Sequence, residues 1–534
     1  MKAGPRRLWL ALLGFGTLAG CGEGEYTAPP PLTPTALVTR PATPLPSAGA
    51  QDPLGAKPRL GSPKPFEPPV PQIFKGQGGM TVWLLERHSL PMVSVTLSIP
   101  VGSARDPEDS PGLAYITADM LDEGAGGRSA VELSSAINDL GASLATGAGA
   151  DGSFVSLTVL KKNFEPAFAI LSDVVARPRF DPKEWKRVSS LWQNGLKKRA
   201  DDPASVARVV SGAALYGPGT PYGHPSDGLL RGARKIDLAA AKAFYGQIWH
   251  PEQAALVVAG DITKAEVERI AGAALASWKP AGPPPSGAPA PVLTPAPTHP
   301  RLILVDRKDA PQAMVSLVRD GVRASDPAAA PLELINTALG GSFTSRLNQS
   351  LREDHGWTYG ARTSFSERRG EGAFFAGAAV HTEVTGLALK EMLDQLSKMA
   401  SSGLSDEELK KVQAQDRGDV VQTYETVSSI TRRLGTLAQL GLPPNFDALA
   451  TSARQRASLA QLAELARAHV DPKNATIIVV GPRDKVAPQL ATLSLGEPEL
   501  WDAEGQPLKA AVAAPAKKEP GPKEAAPSKT PPKK

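Results

Sequence analysis

Short runs rich in Val, Leu and Thr mark strands at TVWLLE (81–86), MVSVTLSIPVG (92–102) and FVSLTVL (154–160). Amphipathic helices lie between them, and their starts can be read from capping residues. Ser129, Asp181 and Ser405 each precede a glutamate three positions later, at Glu132, Glu184 and Glu408. Two further strands are led by proline: Pro251 before EQAALVVAG and Pro472 before KNATIIVVG. These prolines are 472 − 251 = 221 residues apart, and the helix landmarks Val188 and Val412 are 412 − 188 = 224 apart. Two nearly equal offsets mean that one pattern is repeated. Paired strands with intervening helices predict an α+β class, each repeat a sheet covered by helices on one face.

Between the repeats the composition changes. Many of the 52 prolines fall in three stretches that cannot bury a core. The expected organisation is a signal segment (1–20), a Pro-rich tether (21–70), a folded block (71–278), a Pro/Ala linker (279–300), a second block (301–497) and a Lys/Pro/Ala-rich disordered tail (498–534). The net charge is +5, and the seven Lys and two Glu after Leu508 supply all of it. The remaining chain is neutral, which argues against a nucleic-acid partner.

The first residues carry Lys2, Arg6 and Arg7, then the apolar run LWLALLGFGTLAG, too short to span a membrane, ending at Cys21. Cys21 is the single cysteine, so no internal disulfide forms. Leu18-Ala19-Gly20-Cys21 resembles a bacterial lipoprotein signal, which implies lipidation of Cys21 and a membrane anchor. Gly22, where an aspartate would favour the inner membrane, implies the periplasmic face of the outer membrane, within the cell envelope.

Candidate chemistry is sparse. The seven histidines (His88, His224, His250, His299, His355, His381 and His469) include no pair within five residues. Neither G-x-S-x-G nor G-x-x-x-x-G-K-[ST] occurs. The helix PGLAYITADMLDEG (111–124) carries Asp119, Asp122 and Glu123 but no histidine.

The order of several short motifs is specific. Arg87-His88-Ser89-Leu90-Pro91, Gly102-Ser103, Asp106-Pro107 and Pro111-Gly112-Leu113-Ala114 open the first block, and Pro221-Tyr222-Gly223 and Val257–Asp261 follow. Gly340-Gly341, Ser345-Arg346-Leu347, Leu351-Arg352-Glu353 and Trp357-Thr358-Tyr359 stand in the second. In these the chain resembles the pitrilysin/insulinase family of zinc peptidases, which includes the mitochondrial processing peptidase subunits. The resemblance implies two homologous α/β-sandwich domains forming a half-clamshell, with two such halves enclosing a substrate chamber. The family's H-x-x-E-H signature falls on Tyr115, Ala118 and Asp119, so both imidazoles and the general base are replaced. A further glutamate ligand belongs on a downstream helix, but Trp185–Arg199 holds no carboxylate, and Gln193 and Asn194 are its nearest polar substitutes. Active members hold substrate with an arginine and a tyrosine seven residues apart, here Arg352 and Tyr359. Outside that resemblance, the simpler reading is that Arg352 pairs with a local acid and Tyr359 is a strand residue at an apolar face.

The resemblance therefore implies a chain with no cofactor of its own and inactive alone. It would bind peptide or unfolded protein for a homologous partner subunit that carries zinc. Two alternatives stand beside it: a non-catalytic peptide-binding or scaffolding lipoprotein, and an active metallopeptidase with an oxygen-rich site around Tyr115 and Asp119.

Overall fold

The computed structural model describes residues 66–279 and 293–508, together with Gly61, Gly282 and Pro283. The signal segment, Cys21, most of the tether and residues 509–534 of the tail lie outside the described residues. Both repeats belong to one unit that begins at Pro65.

In the first repeat the strands are β1 (Gln72–Lys75), β2 (Thr81–Glu86), β3 (Met92–Ile99), the short hairpin β4 (Gly124–Ala125) and β5 (Arg128–Ser129), β6 (Ser143–Ala148), β7 (Ser153–Leu160) and β8 (Ala255–Gly260). In the second they are β9 (Arg301–Asp306), β10 (Gln312–Asp320), β11 (Thr358–Phe365), β12 (Ala373–His381), β13 (Thr476–Gly481) and β14 (Glu499–Leu500). The sheet orders are β1-β2-β8-β3-β7-β6 and β14-β9-β13-β10-β12-β11. β2 runs parallel to β8 as β9 does to β13. One topology is thus built twice, as the equal offsets predict. The outer strands differ: β1 is antiparallel to β2, whereas β14 is parallel to β9.

The helix starts also follow the capping residues. Ser129 and Ser405 form reciprocal capping boxes with Glu132 and Glu408. Asp181 instead accepts from the Lys183 amide, while Glu184 is drawn away by Arg187 at 2.8 Å.

Three expectations need correction. Each sheet is covered on both faces rather than one. The second face of the first sheet is sealed by the Val427–Leu440 helix of the second repeat, which packs Ile430, Leu434 and Leu437 against Trp83, Val257 and Ala259. Reciprocally, the Pro203–Tyr216 helix places Val206 and Val210 against Ile303, Met314 and Ile478 of the second sheet. This exchange explains why β3 is buried along seven of its eight residues even though it carries Ser94, Thr96 and Ser98. Ser94 Oγ meets Thr431 Oγ1 at 2.9 Å, and Gly435 admits the close approach, since a Cβ there would lie 3.0 Å from Ser98 Oγ.

Second, the folded part continues past 497. β14 adds to the sheet, and Trp501 is buried under the Arg301 guanidinium, 5.2 Å from its ring centre. Apolar area and a ladder hold this segment, so the residues from Glu499 to Leu508 belong to the folded part and not to a tail that starts at 498. Third, the ends of the tether and linker are docked. Phe66 packs on Tyr424, and the Thr294 hydroxyl donates to the Ala214 and Leu215 carbonyls.

Polar contacts fix the two repeats to each other. Arg369 donates to the carbonyls of Pro100 and Asp151 at 2.9 and 2.8 Å. The Tyr222 hydroxyl donates to Asp151 at 2.5 Å and accepts from the Gly370 amide at 3.1 Å. Among the described residues, no helix is long and apolar enough to cross a membrane.

Candidate functional site

The helix bearing the three signature positions spans Leu113–Asp119. Its entry is fixed by Asp106, whose carboxylate accepts from the Gly112 amide at 2.6 Å and the Ala114 amide at 2.8 Å. Gly112 has φ 105°, and a Cβ there would lie 2.6 Å from the Trp192 ring. Only glycine lets the chain turn into this helix with Trp192 so close.

None of the three positions suits a divalent metal. Tyr115 stacks on Trp192, with ring centres 6.3 Å apart and planes 29° apart. Burial, then the charges of Asp119 and Asp227, push its phenol above the usual value, so it stays protonated. Ala118 is 1 % exposed, a buried methyl that does not line the neighbouring cavity. Asp119 faces a cavity of about 460 Å³, whose lining also includes Tyr115, Glu123, Arg187, Trp192 and Asp227. Its pKa is raised by burial and by Glu123, and lowered by Arg187.

Arg187 is the residue that sequence reasoning missed. It donates to Glu123 and, at 2.8 Å, to Glu184, so a guanidinium held by two carboxylates already occupies this wall. Gln193 and Asn194, the expected polar substitutes, do not line the cavity, and the Gln193 amide donates to the Ala233 carbonyl. The helix period explains this for Gln193: Arg187, Leu191 and Gly195 fall on the cavity face, and Gln193 lies about half a turn from Leu191. Asp227 is occupied by Arg199 at 2.7 Å. Among the described residues, no group of three or more His, Cys, Asp or Glu is placed to hold a metal ion. The residues present do not fit zinc.

The histidines are dispersed. His88 contacts Asp261 at 2.6 Å at the surface, His250 is fully buried, and His355 lies flat on Trp357 with ring centres 4.0 Å apart.

Asp122, beside the cavity, is pushed up to about 6 by burial and by the neighbouring Glu123, which outweigh its own backbone N–H and a 3.5 Å contact from Thr146, both of which favour its charge. The folded pKa lies above the unfolded value of 3.8, so between about pH 4 and 6 the folded chain keeps a proton that the unfolded chain has lost. Stability contributed by the protonated group is full below pH 4 and falls as the pH rises through 6. Asp122→Asn is therefore expected to stabilise the chain by roughly 1–2 kcal/mol at pH 7.5 and by almost nothing at pH 4. Urea denaturation at both pH values measures this, and an equal effect at the two would refute it.

The second repeat carries the other candidate residues. Arg352 lies on the turn Gln349–Asp354, just before β11, and Tyr359 is the second residue of that strand. β11 is an edge strand, and its ladder with β12 is irregular between Thr358 and Ala361. This throws the Tyr359 side chain outward, 87 % exposed, so it is not packed on an apolar face. The Arg352 guanidinium lies 4.1 Å from the Phe343 ring centre, and its Nη1 is 3.3 Å from Glu353 Oε1. The local acid expected as an alternative partner is thus present, but the guanidinium makes no hydrogen bond to it or to any other described residue. Arg352 Nη1 is buried beside Glu353, but the half-buried guanidinium spends none of its N–H donors on a hydrogen bond, and the Tyr359 hydroxyl is exposed; both groups are of a kind to meet a carbonyl, a carboxylate or a developing oxyanion.

Two sequence models match this chain: insulinase (peptidase family M16) over residues 81–214 and the peptidase M16 inactive domain over 235–415. The chain belongs to the insulinase family. It is 22 % identical to the non-peptidase homolog YmxG of Helicobacter pylori over 75 % of this chain and 91 % of that one. It is 27 % identical to an uncharacterized zinc protease of Mycobacterium tuberculosis over 67 % of this chain and 81 % of that one. A solved peptidase M16 inactive domain from Pseudomonas fluorescens superposes with a TM-score of 0.71 at 26 % identity, covering 77 % of this chain and 98 % of that one. The doubled α+β sandwich seen here is the fold of this insulinase-family neighbour. This insulinase-family chain lacks every residue of the zinc signature.

Proposed function

We propose that this chain is the zinc-free, substrate-holding subunit of a two-chain insulinase-type peptidase in the bacterial cell envelope. Lipidation at Cys21 would anchor it at the periplasmic face of the outer membrane. One observation carries the reading: the two halves of the machinery have separate fates. In the first repeat the signature positions hold a stacked phenol, a buried methyl and an aspartate beside a fixed guanidinium. In the second, Arg352, on the turn before the edge strand, and Tyr359, exposed on that strand, spend no donor on a hydrogen bond within the chain. A site decayed by disuse has no reason to keep both donors unspent.

The chain's chemistry is positional. The Arg352 fork grips a backbone carbonyl or carboxylate of an extended peptide, and the Tyr359 hydroxyl donates to the carbonyl under attack. Binding energy gathered here orients the scissile bond, and that is how a subunit without a nucleophile contributes to rate. The zinc and its activated water belong to the partner. The relative named a non-peptidase homolog is in keeping with this division.

Co-purification from membranes tests the proposal. The chain is expected to bring down a homologous chain that carries H-x-x-E-H, and peptide hydrolysis is expected only from the pair. Recovery of the chain alone with stoichiometric zinc and intrinsic hydrolysis would overturn it. Recovery with unrelated envelope proteins and no peptidase would favour a scaffold.

A further inference from the structure

Phe343 is a large apolar side chain left 67 % exposed in the loop after the irregular turn Thr337–Gly341. An isolated exposed phenylalanine needs no explanation by itself. This one is not isolated, because its ring carries the Arg352 guanidinium, with Cζ 4.1 Å from the ring centre. That face contact and the 3.3 Å approach of Glu353 are the only interactions of the Arg352 head group among the described residues. A long side chain held by one surface ion pair samples many rotamers, and ordering it costs free energy at every binding event. A flat aromatic surface removes that cost in a particular way. It fixes the plane of the fork and occupies one face without forming a hydrogen bond to any of the in-plane N–H donors. A hydrogen-bonding partner would have consumed those donors.

We propose that Phe343 is a positioning residue that holds the Arg352 guanidinium flat, with its donor edge turned to the peptide. The proposal rests on the reading of Arg352 as a peptide-holding residue. Phe343 acts through Arg352 and makes no demand on peptide sequence. Aromatic substitutes therefore preserve its action, and aliphatic ones of similar bulk do not.

Two measurements on the full chain test it. The first is the Nε–H resonance of Arg352, which the ring current of Phe343 shields. Phe343→Leu is expected to abolish that shielding, while Phe343→Tyr and Phe343→Trp keep it. The second is binding of fluorescein-labelled oxidised insulin B chain, read by anisotropy. Phe343→Ala is expected to weaken binding about three- to fivefold in the wild-type background and to have no further effect in Arg352→Ala. Because the ring is exposed, all these variants are expected to fold normally, which circular dichroism checks. Unchanged shielding in Phe343→Leu overturns the positioning role. So does an equal loss of binding by Phe343→Ala with and without the guanidinium, since Phe343 would then touch the peptide itself. If shielding is lost as expected but Arg352→Ala binds as well as wild type, the reading of Arg352 falls and this role falls with it.

Discussion

Tyr359→Phe, in a complex reconstituted with a zinc-bearing homologue, is expected to lower kcat by roughly 10²-fold while KM changes little. The substitution removes one hydroxyl from a side chain that is 87 % exposed, so it leaves no buried group unpaired and does not perturb the fold. Only an interaction that strengthens as the carbonyl gains charge explains such a loss in kcat. Arg352→Ala behaves differently. The guanidinium grips the peptide before and during the reaction, so kcat/KM is expected to fall by roughly 10²-fold with much of the loss in KM. Single-turnover kinetics with excess complex separates binding from chemistry. Hydrolysis unchanged in both variants would remove the pair from the mechanism and, with it, the reason for assigning this chain to a peptidase.

The parts of this molecule that were legible in the sequence are those decided locally. Capping at Ser129 and Ser405, the apolar strands and the doubled landmarks all depend on neighbours within one element or on the repeat itself. The crossed helices were not legible. Ser94, Thr96 and Ser98 alternate with apolar residues as a solvent-facing set would, and Thr431, which meets Ser94, is 337 residues away. Nothing near β3 reports that partner. Trp501 was lost to a Lys/Pro/Ala-rich neighbourhood, although a lone tryptophan at the start of such a tail is itself a signal of burial. Arg187 was legible in principle. Val188, Trp192 and Leu196 are the buried stripe of their helix, so 187, 191 and 195 had to flank it on one side. Phe343 was not legible, because only a three-dimensional turn brings a loop residue onto a guanidinium nine positions later.

The difference between a vacant metal site and a refilled one leads to the remaining prediction. Restoring the signature's glutamate by Ala118→Glu is expected to destabilise the chain by about 3 kcal/mol or more instead of returning a general base. Ala118 is 1 % exposed and does not line the cavity, so a longer side chain must displace packed neighbours or bury a carboxylate among them. The nearby cation gives little relief, because Arg187 is already engaged by Glu123 and Glu184. The cost therefore depends on pH with a defined sign. An unpaired buried carboxylate has a folded pKa above its unfolded value, so the variant is most stable in acid and loses stability as the pH rises through that folded pKa. Urea midpoints for wild type and Ala118→Glu should lie closest near pH 4 and diverge by pH 8. A variant as stable as wild type at pH 8 would mean that the new carboxylate reaches the cavity and finds a partner there. The first repeat would then be an intact metal scaffold lacking only its ligands. On the packing described here it is not: the stacked Tyr115–Trp192 pair and the buried Ala118 have converted catalytic positions into core, and such a conversion is reversed only by changing the neighbours as well.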